Sequence, residues 1–469
     1  MELPDFISDY SSLFNAIRKV VPPSMKIYLV GGAVRDILLG RRIRDFDFTV
    51  DGLVRPIGKH IADELGGAYY VLDDERDMVR VIIDDEEKGQ FDVDISLLTG
   101  DTIEDDLRDR DFTLNAMAIE IGEKPVLVDP LGGLSDVQGK TLHLCSPDSL
   151  ENDPLRALRA VRMSLEFGLA MDDELKNAMI SASKRLHESS FERYRDELFK
   201  IIRLHKNGDA ISLCQRFNLM EYIFPGSKTA LESQDKEWIK NTDLFSAYLT
   251  KQDRSVAVEN EYAAYAARRL GNFRGALLAF FDKTLALYHT RRMLMLFSAI
   301  ASCMSANSSE KVKNWCTRLA FSSSETNFVT LTLQALTGLK ALDGPSHDGD
   351  VDIYRFFKQY KEGGVSGLLI FLSDKYAEQN QPDSYKHWCE WVVFAQNYIS
   401  AYFTRFMEVI APKPLLSGND LQKLLNMPAG PMIGKVKDAL IEAQIRGSVN
   451  NISEAESFAR HFSKNRFDQ

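Results

Sequence analysis

The sequence predicts an α+β fold: a mixed β-sheet with few helices in the first third of the chain, then a remainder that is almost pure helix. Three observations carry this. Short apolar runs of strand length recur from Lys26 to Ser96, separated by glycines and polar turns. The helical stretches among them are too few to cover two sheet faces, so the sheet is expected to be mixed and covered mainly on one. From Asp153 the pattern changes to long helices, interrupted near Phe224–Ser227 (FPGS), Gly344–Asp350 (GPSHDGD) and Ala411–Asp420 (APKPLLSGND).

In order, Lys26–Val30 (KIYLV) is a strand that ends at Gly31 and Gly32, and Ala33–Leu39 has helical spacing and stops at Gly40. Asp45–Val50 (DFDFTV) alternates as a strand does, Ile57–Leu65 reads as a helix, and Ala68–Leu72, Val79–Ile83 and Phe91–Ser96 read as further strands. DPLGGLSDVQGK, from Asp129, is a glycine-rich turn region and a plausible boundary. A Pro/Gly turn, NMPAGPMIGK, separates two short helices near the end.

Size and charge limit the function. At 469 residues the chain has room for about three domains, or for one catalytic domain with a long helical extension. A hydrophobic content of 45% and a charged content of 27% exclude wholesale disorder. The net charge of -11 excludes a uniform positive field, so any nucleic acid must be met by local basic patches. The cysteines, Cys145, Cys214, Cys303, Cys316 and Cys389, have no metal-ligand spacing, which suits a reducing compartment. No apolar run is long enough to cross a bilayer, and MELPDFISDY lacks the basic and apolar regions of a secretory signal, so no membrane partner and a cytoplasmic address are expected.

The chemistry concentrates on acidic pairs in strands. Residues i and i+2 of a strand share a face, so Asp45 and Asp47 stand side by side while Phe46 and Phe48 point into the core. Two hard oxygen ligands with open positions beyond them suit Mg²⁺ bound to a nucleoside triphosphate; a solvated strand face has the same spacing. Asp92 and Asp94 repeat the pattern. If their strand neighbours the first, one of them completes a carboxylate triad, and Asp94 is favoured. Gly31 and Gly32 offer backbone N–H groups to a phosphate at the start of a helix, or simply make a tight turn. Arg35, in that helix's first turn, either reaches a triphosphate or pairs with Asp36.

These residues carry a resemblance. LVGGAVRD, RDFDFTV, RDFTLNAMAI (Arg110–Ile119), DPLGG, NDPLRALRAVR (Asn152–Arg162) and ERYRDEL (Glu192–Leu198) resemble, in order, the motifs of class II tRNA nucleotidyltransferases and the related bacterial poly(A) polymerases. The similarity is strong over Lys26–Ile201 and weaker at Leu219–Gly226 and in the last fifty or so residues. It implies a nucleotidyltransferase head (1–140), a helical neck that recognises the nucleotide base (141–205), a helical body that binds RNA (206–410) and a helical tail (411–469). It also implies that Asp45 and Asp47 hold Mg²⁺, that Arg110, Asp111 and Asn115 hold the nucleotide with the last two near the ribose, and that Arg159 contacts phosphate.

The neck motif has its own physical reading. Pro154 suits the first position of a helix and makes Asp153 its N-cap. Asp153, Arg156 and Arg159 then follow one skewed stripe, with Arg162, a further nucleotide-binding candidate, rotated about half a turn away. A carboxylate accepts from the exocyclic amine of cytosine or adenine while a guanidinium donates to the neighbouring ring acceptor, which selects CTP or ATP without a template. The resemblance gives that task to Asp153 and Arg156. Two positions depart from the family pattern: Asn152 stands where an acid is usual, and Asp109 where an arginine often precedes Arg110. The first puts the choice between C and A in doubt, and the second removes a positive charge near the nucleotide or RNA.

Beyond the neck, Arg41, Arg42 and Arg44 make a basic cluster beside Asp45. Arg268, Arg269, Arg274, Arg291 and Arg292 recur in the body with Tyr262, Tyr265 and Phe273, a pattern that suits RNA backbone contact and equally a helical core with charged edges. His347-Asp348 sits in a Gly/Pro loop without further ligands, so a metal-phosphohydrolase reading is rejected. The expected activity is template-independent addition of C and/or A to the 3′ end of tRNA from CTP or ATP. The alternatives are a poly(A) polymerase and an idle RNA-binding protein on the same scaffold. Oligomeric state is not readable.

Overall fold

Strand β1 (Ile27–Val30) is fully buried and organises the N-terminal sheet, pairing antiparallel with β2 (Asp45–Val50) on one side and with β6 (Ala118–Glu120) on the other. The computed structural model describes residues 6–227, 231–250, 261–286, 289–306, 308–345, 349–377 and 384–467. The sheet has seven strands in the order β3-β4-β5-β2-β1-β6-β7, where β3 is Ala68–Asp73, β4 Met78–Asp85, β5 Gly89–Leu97 and β7 Val126–Val128. Only the β2–β5 pair is parallel among these neighbours, so the sheet is mixed, as the sequence predicts.

Alternation along the strands sorts the two faces. Phe46 and Phe48 of β2 point inward and stack with centroids 6.4 Å apart. They pack with Val79, Val81, Val93 and Ile95 beneath α1 (Ser11–Val20) and α3 (Val54–Leu65), whose buried residues recur at helical spacing. The opposite face is packed at its β1, β6 and β7 side. There Tyr28, Val30 and Ala118 pack against Ile103 and Leu107 of α4 (Ile103–Arg108), which leaves the carboxylates of β2 and β5 uncovered by that cluster.

The stretch RDFTLNAMAI forms a 3₁₀ turn at Thr113–Asn115 followed by β6, because Ala118–Glu120 complete the hydrogen-bond ladder beside β1. One local expectation is corrected. The neck helix α6 (Arg156–Phe167), which follows the short α5 (Gly133–Gly139), starts two residues later than expected, with Leu155 rather than Asp153 as its N-cap. Asp153 is extended (φ -145°, ψ 96°) and its carboxylate accepts from the Leu155 N–H at 3.2 Å, so it closes a turn ahead of the helix.

Backbone contacts divide the chain into two units, 1–197 with 216–222, and 198–215 with 223–469. The second unit is predominantly helical among its described residues. Its last helices, Gly418–Leu425, Pro431–Ile445 and Ile452–Phe467, enclose a separate apolar cluster around Leu421, Val436, Leu440 and Ala455. Arg355 ties helix Asp350–Tyr360 to that group through two bonds to Glu442, at 2.9 and 2.6 Å. Among the described residues no cysteine forms a disulfide, and burial pushes the Cys214 and Cys316 thiols up to about 12. Among the described residues no helix is long and apolar enough to cross a membrane.

Candidate active site

The site grows from the β2–β5 register. Asp45 lies opposite Asp92 and Asp47 opposite Asp94, which brings four carboxylates onto one sheet face. Asp47 is largely buried; burial and then the charge of Asp94 push its carboxyl from 3.8 up to about 6. Asp45 is raised as well, by burial and Asp92. Such crowding of anionic oxygens is a surplus of negative charge that a divalent cation would relieve, and the paired i, i+2 carboxylates of β2 are a suitable hard donor set. Asp94, expected as the third carboxylate, is adjacent, but Arg80 of β4 holds both of its oxygens at 2.7 Å and reaches Asp92 at 3.4 Å. Among the described residues no group of three or more His, Cys, Asp or Glu is arranged to hold a metal ion.

Gly31 sits directly in front of Asp47. Its φ of +71° disfavours other residues, and a Cβ there would lie 3.0 Å from Arg110 Nη1 and 3.5 Å from Asp47 Oδ2. It precedes α2 (Gly32–Leu38), and α4 ends just before Arg110, whose Nε and Nη2 donate to Asp106 at 3.2 and 2.9 Å. Gly31, Asp47 and Arg110 are therefore neighbours. DPLGG explains why the next segment is held so firmly. Asp129 accepts from the Gly133 and Leu134 N–H groups at 2.7 and 3.0 Å, and a Cβ on Gly133 would lie 2.3 Å from the Thr113 carbonyl oxygen.

A chain of alternating polar partners leads from Arg35, at the start of α2, into the neck. Arg35 donates to Asn115 Oδ1 at 2.7 Å and to Asp36 at 3.0 Å, and it stacks over Phe167 at 4.2 Å. Asn115 donates to Asp111 at 3.0 Å, and Arg159 grips Asp111 Oδ2 with two N–H groups at 2.9 and 2.7 Å. Burial raises the Asp111 carboxyl, but Arg159 and the bonds from Asn115 and the Phe112 N–H outweigh this and hold it below the usual carboxylate value. Arg162 donates to the buried Glu197 of α7 (Phe191–Ile202) and to Glu166 at 2.8 Å.

Several side chains expected to meet nucleotide are thus committed to protein partners. Arg35 is engaged with Asn115 and Asp36, Arg159 with Asp111, and Arg162 with Glu197 and Glu166, rather than standing available to phosphate. Arg156 donates to the carbonyls of Asp109, Arg110 and Ser149 at 2.8, 3.1 and 3.3 Å and to Ser149 Oγ at 2.8 Å. Asp153 is held instead by Arg193, at 3.3 and 2.6 Å. The base-reading pair is close in sequence, but its two members have separate partners.

Sequence reasoning missed Arg80, Asp106, Arg193 and Glu197. A signal for the last two existed: Arg193 and Glu197 are four apart in ERYRDEL and so share a helix face. Arg80 carried none, because its value depends on register. In the body, Arg291 is buried, pairs with Glu362 and stacks on Phe280 at 4.4 Å, so it belongs to the interior rather than to an RNA surface, while Tyr262 is half-buried and packs edge-on against Tyr385. Arg268 and Arg269 are exposed and flank the Tyr265 ring at 5.3 and 5.4 Å. His347 and Asp348 lie outside the described residues.

A mixed sheet with paired carboxylates beside a glycine turn, followed by a helical neck joined to it by buried ion pairs, defines a nucleotidyltransferase head with a helical extension. Residues 27–143 match the family described as the Poly A polymerase head domain, and residues 168–231 match the one described as the probable RNA and SrmB-binding site of polymerase A. An A-adding tRNA nucleotidyltransferase of Deinococcus radiodurans is 28% identical over 458 residues, covering 93% of this chain and 95% of its own. A CC-adding tRNA nucleotidyltransferase of Synechocystis sp. is 25% identical over 447 residues, covering 95% of each. A solved CCA-adding enzyme in complex with ATP shares the fold, with a TM-score of 0.65 at 19% identity, covering 96% of this chain and 94% of that one. The chain is thus similar over most of its length to tRNA nucleotidyltransferases, and its first third matches the head-domain family.

Proposed function

We propose that the protein is a template-independent RNA nucleotidyltransferase that adds C and/or A to the 3′ end of tRNA from CTP or ATP. The observation that carries this is the register of β2 against β5, which sets Asp45 and Asp47 beside Gly31 and Arg110 with further acids opposite. Asp45 and Asp47 would hold Mg²⁺, which supplies positive charge to the triphosphate and to the attacking oxygen. The RNA 3′-hydroxyl gives its proton to water as its oxygen bonds to the α-phosphorus, the bond from that phosphorus to the β-phosphate bridging oxygen breaks, and pyrophosphate leaves. The Gly31 turn allows close approach of the nucleotide, and Arg110 offers positive charge above Asp47.

Base choice belongs to Asp153 and Arg156 in this reading. Both exchange a protein partner for the base when nucleotide enters: Asp153 leaves Arg193, and Arg156 turns part of its guanidinium from backbone carbonyls. The four-part division into head, neck, body and tail is supported by the separate apolar cluster of the last helices. Cytoplasmic location is part of the same proposal.

The test offers the purified protein three tRNAs, ending before, within and after the CC step, with each nucleotide separately, and counts residues added. Short, defined addition supports the reading; long adenosine tails on unstructured RNA point to a poly(A) polymerase. Asp45→Ala and Asp47→Ala should each abolish addition while leaving the far-UV spectrum unchanged. Near-normal turnover in either variant would remove the metal site.

A further inference from the structure

A line of side chains crosses the sheet from the candidate catalytic strand to its edge. The register aligns Asp47 with Asp94, Asp94 with Arg80, and Arg80 with Tyr70, so all four project from one face on successive strands roughly 4.8 Å apart. Arg80 stands between the acids and the open edge strand. Its Nε and Nη2 each bond a different oxygen of Asp94 at 2.7 Å, and Nη1 lies 3.4 Å from Asp92. One guanidinium thus serves both acids of β5, while Asp45 and Asp47 on β2 have no comparable bidentate partner in the described hydrogen bonds.

We propose that Arg80 is a positioning residue that withholds Asp94 and Asp92 from the metal, leaving the cation to be gripped by Asp45 and Asp47 alone. The inference rests on the metal reading of the preceding section and divides the acidic face into two jobs. A bidentate fork fixes a carboxylate in plane and direction as a point charge cannot, so Asp94 is kept beside Asp47 without turning onto the ion. The unit positive charge also offsets part of the repulsion among four neighbouring carboxylates. Without it, Asp94 is free to become a third ligand, and the ion is bound more tightly but in the wrong place.

The test is Mn²⁺ binding to the full chain without nucleotide or RNA, followed by electron paramagnetic resonance, for wild type, Arg80→Ala, Arg80→Lys and the surface control Arg76→Ala. Arg80→Ala should bind Mn²⁺ on the order of tenfold more tightly, as removal of one positive charge beside the acids dictates, and should turn over more slowly. Arg80→Lys keeps the charge but not the fork, so its Mn²⁺ affinity should stay near wild type while turnover still falls. Arg76→Ala should match wild type in both. If Arg80→Ala does not fold, Arg80→Gln takes its place with the same expectation. Unchanged or weaker Mn²⁺ binding on loss of the guanidinium would overturn this inference alone, whereas a wild type that binds no Mn²⁺ would overturn the metal site itself.

Discussion

Asp47 shows what a single residue costs the fold and what it supplies. Its carboxyl is raised from 3.8 to about 6 by burial and by Asp94, so the folded protein holds a proton there that the unfolded chain has already released. Stability from this group is therefore present below about pH 4 and declines as pH rises through about 6, remaining lost above it. In metal-free protein, Asp47→Asn should stabilise the fold at pH 8 by on the order of 2 kcal/mol and give no gain at pH 4, as urea titrations at the two pH values will show. The same variant should not transfer nucleotide. Arg156→Ala should relax base choice by about 1 to 3 kcal/mol, as for loss of a bidentate base contact; competition between CTP and ATP against UTP and GTP measures this, and unchanged selectivity would leave Arg156 as a backbone clamp.

Among elements, the neck helix and α7 act as a pair. Arg193 and Glu197 occupy one face of α7 and receive Asp153 and Arg162 respectively, while Arg159 approaches Glu197 at 3.9 Å and binds Asp111. Glu197→Ala would remove the buried one of the two acidic partners of Arg162 while Glu166 remains, and should destabilise the first unit by about 1 to 3 kcal/mol, visible as a lower thermal midpoint. The short helix after DPLGG is equally constrained. Gly133→Ala sets a methyl group against the Thr113 carbonyl and should cost about 1 to 3 kcal/mol through overpacking. Because Thr113 lies in the segment that carries Asp111 and Asn115, the KM for nucleotide should rise with it.

For the whole molecule, the division into two units makes a spectroscopic prediction. Trp238, Trp315, Trp388 and Trp391 all lie in the second unit, and every site residue lies in the first. Intrinsic tryptophan fluorescence therefore follows the second unit, while far-UV circular dichroism follows both. Urea unfolding should give non-coincident transitions by the two probes. Saturating CTP with Mg²⁺ should move the dichroism transition and leave the fluorescence midpoint in place, because a ligand stabilises only what it binds. Coincident curves that shift together would show the chain unfolding as one cooperative body.

The strands β1 to β5 and the two helices among them were readable because alternation and glycine breaks are local properties: DFDFTV declares its period, and KIYLV its strand-length apolar run, within a few residues, whereas β6, β7 and the helices Ser11–Val20 and Ile103–Arg108 were not read. The candidate metal acids were readable for the same reason, since i, i+2 spacing on a strand needs no partner to be interpreted. Tertiary structure alone decided that β5 lies parallel to β2, that Arg80 faces Asp94, and that Arg159 and Arg162 turn to Asp111 and Glu197. Each of these joins residues from 14 to 48 positions apart, and no local period encodes which distant charge a guanidinium will meet; register and helix packing do.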